Sequence, residues 1–223
     1  MLFKISSISI PKINRVIRYF IIGDLIMWAG WGFIDPIFSI FVIRNITSAS
    51  LTSIGLLATI YWVTKGILQI PISLFLDKTD GEKDDFYAMI FGLMIMSVAA
   101  FSFMVAGTMN QIYFVQFLKA IGFALYIPSW SAIATRHLDK ENTAFEWAAS
   151  SSAVSLAAGA AGFFGGVIAN FAGFNFVFLT VGLLALFSAA LLLVVPDLIL
   201  PRQTVAPLLP PMKIKDPSQM GMK

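Results

Sequence analysis

The chain has 223 residues, 58% of them hydrophobic, a formal net charge of +3 and a mean hydropathy of +0.85. Soluble domains are about 45 to 50% apolar, so this composition excludes a soluble globular fold and specifies an integral membrane protein. No cysteine and a single histidine leave no basis for disulfides, thiol catalysis or Cys- and His-based metal sites, and no cofactor is expected.

Residues 1–18 read as a basic cytoplasmic leader carrying Lys4, Lys12, Arg15 and Arg18. A bundle over 19–195 follows, with apolar stretches near 19–43, 52–76, 87–107, 111–134, 144–170 and 174–195. Each supplies the roughly 20 helical residues needed to cross a hydrocarbon core of about 30 Å, and the first is too long for a signal-peptide core. Residues 196–223, interrupted by Pro196, Pro201, Pro207, Pro210, Pro211 and Pro217, read as an irregular cytoplasmic tail. Basic residues concentrate in the leader, the second-to-third loop, the fourth-to-fifth loop and the tail, against Arg44 on the opposite side. The positive-inside rule therefore places both termini in the cytoplasm, most simply of a bacterial cytoplasmic membrane. Charge dispersed over loops in this way is no nucleic-acid footprint, and the lipid bilayer is the expected surrounding.

In the first span Asp24, Trp28, Trp31 and Asp35 recur at i, i+4, i+7 and i+11, within roughly 60° of one helix face. A carboxylate inside a span costs about 2.5 to 3.5 kcal/mol on insertion scales, so this stripe predicts a lined cavity rather than a lipid contact. Gly30 and Gly32 permit close helix approach, and Pro36 removes a backbone hydrogen bond just beyond Asp35. The second span carries Lys65 near its midpoint, a depth at which a charge partner within the protein is expected.

The polar run from Asp77 to Asp85 reads as a turn at Gly81 followed by Asp84 and Asp85 at the positive end of the third helix. Asp77-x-x-Asp80-Gly81 also resembles the opening of the metal-binding signature of membrane phosphatidyltransferases. That signature continues with Ala-Arg, where Asp84-Asp85 stand here, and needs two further aspartates that the next helix lacks, so an enzyme is not expected. The third and sixth spans read as peripheral, lipid-facing supports. The fourth carries a second stripe, Gln116, Lys119, Phe123, Tyr126 and Trp130, and depth matching pairs Lys119 with Asp35. Thr143-x-x-Glu146 reads as a capping box opening the fifth helix. Gly159, Gly162, Gly165 and Gly166 then provide a surface for close helix packing.

Gly30-Trp31-Gly32-Phe33-Ile34-Asp35-Pro36 aligns with Gly122-Phe123-Ala124-Leu125-Tyr126-Ile127-Pro128 at an offset of 92, in helices that cross in opposite directions. This is the mark of an inverted three-plus-three repeat. With these features the chain resembles, over residues 17–195, the N-terminal half of a major facilitator superfamily transporter. Ser73, Asp77, Lys78, Gly81 and Lys83 stand in part for the family's signature Gly-x-x-x-Asp-Arg-x-Gly-Arg-Arg, a gating loop, and Lys119 for the basic residue of its fourth-helix signature. Of the antiporter signature only Gly165-Gly166 remains, because Ala161-Gly162 replaces Gly-Pro, which leaves antiport unsupported.

The resemblance implies an all-α membrane fold of six transmembrane helices, half of the family's twelve. The first and fourth helices would line a cavity, and the second and fifth would meet an opposite half. The expected function is secondary active transport of a small solute by alternating access, with Asp24 as a candidate proton-coupling carboxylate. Transport would then need a pair of six-helix bundles, either a homodimer approaching through Gly162, Gly165 and Gly166 or a separate second half. The alternative is a truncated or degenerate half acting as a non-transporting scaffold or sensor.

Overall fold

The computed structural model describes residues 15–78, 82–138 and 142–194. Among these lie α1 (Arg15–Ile34), a 3-10 turn (Asp35–Ile37), α2 (Phe38–Asn45), α3 (Leu51–Leu76), α4 (Lys83–Val105), α5 (Met109–His137), α6 (Thr143–Ala172) and α7 (Phe174–Val194). The helix α1, the turn and α2 make one broken span, so six segments of the described chain are long and apolar enough to cross a membrane. The break falls at Pro36, which lacks the N–H needed to continue an α-helix and stands at the start of the 3-10 segment. Its counterpart Pro128 passes through α5 without interruption.

Two helices open on reciprocal caps. Ser50 accepts from the Ser53 amide at 3.1 Å while the Ser53 hydroxyl accepts from the Ser50 amide at 2.7 Å. Thr108 and Gln111 repeat the arrangement at the start of α5. The box expected at Thr143 and Glu146 is displaced: Asn142 is the N-cap, Thr143 is already helical, and the Glu146 amide donates to the Asn142 carbonyl at 3.0 Å. At the far end Gly173 adopts φ 83°, a left-handed conformation that suits glycine and lets α7 start at once.

The helix α1 packs on α6 and α7, α5 packs on α3 and α4, and α4 packs on α7. Exchanging the first three spans for the last three maps these contacts onto themselves, as an inverted repeat requires. The paired glycines obey the same exchange. Gly30 lets α1 approach α7, where an added Cβ would lie 3.3 Å from Leu184 Cβ, and Gly122 lets α5 approach α4, where it would lie 2.6 Å from Met96 Cγ.

The third and sixth spans depart from the peripheral role expected of them. Met89, Leu93, Met96, Ala99 and Phe103 of α4 and Val177, Phe178, Val181 and Ala185 of α7 are buried, and only their outer faces, with Phe91, Val98 and Phe187, are exposed. Charge-free sequence reads as lipid-facing, yet the packing of α5 on α4, of α1 on α7 and of α4 on α7 needs an apolar inner face as well. Two hydroxyls tie this layer together: Ser97 donates to the Gly182 carbonyl at 2.9 Å, and Ser188 to the Gly23 carbonyl at 2.8 Å.

Exposure concentrates on α3, with Trp62, Ile67, Ile70, Leu74 and Phe75, and on α6, with Leu156, Phe163, Phe164 and Phe171. Here the glycine surface needs correction. Gly165 is buried against the Phe33 backbone and Gly162 sits on Pro36, so both serve contacts within the bundle and neither is free for a second copy. A Cβ added at Gly159 or Gly166 would meet no other part of the bundle within 4 Å. The sequence shows where small residues recur but not which neighbour uses them.

Candidate functional site

A cavity of about 300 Å³ opens between the broken first span, α3 and α5. The 3-10 turn after Ile34 delivers Asp35 to its wall with the side chain 50% exposed. From α5, Lys119 reaches across and its Nζ donates to Asp35 Oδ1 at 2.9 Å. Only 10% of the Lys119 side chain is exposed, and its Nζ also lies 4.0 Å from the centroid of the buried Trp31 ring. The ion pair and the ring face thus share the task of holding an ammonium at membrane depth.

Phe123 fills the angle between the two first-span tryptophans, its ring centroid 5.6 Å from Trp28 and 5.7 Å from Trp31. Across the cavity Lys65 has aromatic rather than acidic neighbours: its Nζ stands 4.0 Å from the Trp62 centroid and 5.4 Å from Tyr61. The partner expected for Lys65 within the protein is therefore a pair of ring faces. Gln116 lines the same wall, buried, with Oε1 lacking a hydrogen-bond partner among the described residues.

The remaining stripe residues do not line this cavity. Asp24 is 5% exposed and accepts a 2.9 Å hydrogen bond from the buried Tyr126 hydroxyl, which closes the two stripes on each other at that depth. Trp31 lies beneath Lys119, and Trp130 packs on Trp147 of α6 at 5.6 Å. Helical periodicity puts all nine positions on two facing stripes; the separation of α1 and α5 along their length decides which of them meet open space.

Of the loop residues, Asp77 caps the end of α3, Lys78 follows it exposed, Lys83 begins α4 and Gly81 lies outside the described residues. The neighbouring ion pairs carry more structure. Arg136 donates to Asp85, which is 1% exposed, and His137 Nε2 lies 2.8 Å from Glu82 Oε2, joining the start of α4 to the end of α5. The signal for this clamp was an acidic helix start and a basic helix end on the same side of the membrane. Asp85 serves that clamp beyond its effect on the helix dipole.

Removing Arg136 leaves a buried carboxylate without its cation, so Arg136→Gln is expected to cost about 2 to 4 kcal/mol. The paired change Asp85→Asn with Arg136→Gln should recover part of that loss. Unfolding in mild detergent measures both, and a single variant as stable as the parent would refute the clamp.

Among the described residues no cluster of His, Asp or Glu has metal-binding geometry. The family model of the Major Facilitator Superfamily matches residues 20–215. A solved structure, the POT family transporter PepTSo crystallised in meso, matches with a TM-score of 0.60 at 14% identity, over 82% of this chain and 38% of that one. The likeness is one of fold, and the chain spans 38% of the length of that transporter. Curated proteins give no match. With the family match running over most of the chain and the described helices packed with the symmetry of an inverted repeat, the chain belongs to the major facilitator superfamily, a family of membrane transporters.

Proposed function

We propose that the chain carries a small solute across the bilayer by alternating access, as one of two six-helix bundles. The observation that carries this reading is the cavity itself: an Asp35–Lys119 pair, a second ammonium and aromatic walls within the membrane-spanning region. Charges so placed are costly in a passive scaffold, whereas a solute pathway uses them. The apolar outer faces of α3 and α6 support a partner bundle, either a second copy or a separate half. Positive-inside counting supports cytoplasmic termini, and the turn bearing Asp77, Lys78 and Lys83 would then gate on the cytoplasmic side.

The test is solute flux in liposomes with and without a pH gradient, alongside the oligomeric state in nanodiscs. No flux for a broad solute panel would return the chain to the scaffold reading, and a strict monomer would exclude the homodimer. Asp24, shielded and bonded to Tyr126, is the proposed proton-coupling carboxylate. Asp24→Asn should then abolish the response of flux to the pH gradient while solute exchange persists. Flux in Asp24→Asn that retains the parent's pH dependence would remove that role.

A further inference from the structure

We propose that the cavity takes a small organic monoanion, its carboxylate seated at Lys65 and its apolar or aromatic body among Trp28, Tyr61, Trp62 and Phe123. This rests on the reading of the cavity as a solute site. Two ammonium groups and one carboxylate line it, Lys65 and Lys119 against Asp35, a net charge of +1. Asp35 is committed to Lys119 at 2.9 Å. Asp24, the other carboxylate of the first span, is absent from the wall and bonded to Tyr126 instead.

Lys65 has neither hydrogen bond nor carboxylate partner among the described residues; the ring faces of Trp62 and Tyr61 are its neighbours. A cation–π contact attracts the ammonium without neutralising it, so the excess charge remains available to an anion and opposes a cation. The same rings, with Trp28 and Phe123, present flat apolar surface suited to offset or edge-on stacking with a ligand ring. Gln116 stands on the same wall, 6% exposed, its buried Oε1 without a hydrogen-bond partner among the described residues. A volume of about 300 Å³ lies at the lower end for small-molecule sites and suits a single-ring carboxylic acid.

The experiment titrates the full chain in nanodiscs with benzoate, benzamide and benzylamine, following the tryptophan fluorescence to which Trp28 and Trp62 contribute. Benzoate should bind saturably, benzamide at least about tenfold more weakly, and benzylamine not measurably. Lys65→Gln should weaken benzoate at least about tenfold, while Lys65→Arg, which keeps the charge, should stay within about threefold of the parent. Thermal melting of each variant verifies that it is folded. Benzylamine binding as tightly as benzoate, no saturable benzoate binding, or an unchanged benzoate affinity in folded Lys65→Gln would overturn the proposal. Benzoate binding without flux of any solute would remove the transport reading alone, and flux of a cation without benzoate binding would remove the anion site alone.

Discussion

Gly165→Leu is expected to keep α1 and α6 apart and to cost the bundle at least about 3 kcal/mol. A Cβ at Gly165 would fall on the Phe33 carbonyl, with Phe33 C only 2.6 Å and its Cα 2.8 Å away. These are backbone atoms and cannot rotate aside as a side chain could. Relief requires the helices to separate, which also opens the contact of Gly32 with Ala158, where an added Cβ would sit at 2.9 Å, and of Gly162 with Pro36 at 3.2 Å. In lipid no hydrophobic driving force restores such a pair, because association depends on the van der Waals contact that the substitution removes. Gly165→Ala carries the same Cβ and should also destabilise. The comparison variant is Gly159→Leu, on the same helix with no atom within 4 Å of the added Cβ, expected to be near neutral. Unfolding midpoints in detergent decide the matter. If Gly165→Leu and Gly159→Leu unfold together, the packing of α6 on α1 is wrong.

Asp35→Asn should destabilise the chain by about 2 kcal/mol, more than Lys119→Gln, and both should lower flux at least about tenfold. The asymmetry follows from exposure. Removing the carboxylate strands an ammonium that is only 10% exposed, with the Trp31 ring at 4.0 Å as its main remaining neighbour. Removing the ammonium leaves a carboxylate that is 50% exposed and can hydrate from the cavity. The double variant should recover about 1 to 2 kcal/mol relative to the sum of the singles. Strictly additive effects would show that the 2.9 Å contact carries no coupling. Equal losses in the two singles would refute the asymmetry.

Local chemistry made much of this arrangement legible. The break after Ile34 was signalled by Pro36, which cannot donate the hydrogen bond an α-helix needs there, yet Pro71 and Pro128 lie inside unbroken helices, so the missing donor alone does not decide a break. Asp35 and Lys119 could be matched by depth because each helical residue advances a span by a fixed rise. Their separation of 2.9 Å was not legible, since it depends on the crossing of helices 84 residues apart in sequence. Thr143-x-x-Glu146 offered the capping-box pattern but stands one residue inside its helix, while the reciprocal cap at Ser50 uses Ser53 and lies outside that pattern. A short motif states what a side chain can cap, and the chain's entry into the helix decides whether it does.

The membrane setting, the six spans, the two polar stripes and the inverted repeat were legible along the chain, because hydropathy, helical period and self-similarity are properties read residue by residue. Helix packing settles the rest: Asp24 is sealed against Tyr126 while Asp35 faces the cavity, Lys65 rests on ring faces, and Gly162 and Gly165 are used inside the bundle. Each of these depends on the distance and angle between helices. Those are set by the summed van der Waals contacts of many residues on both helices, and no single stretch of sequence encodes them.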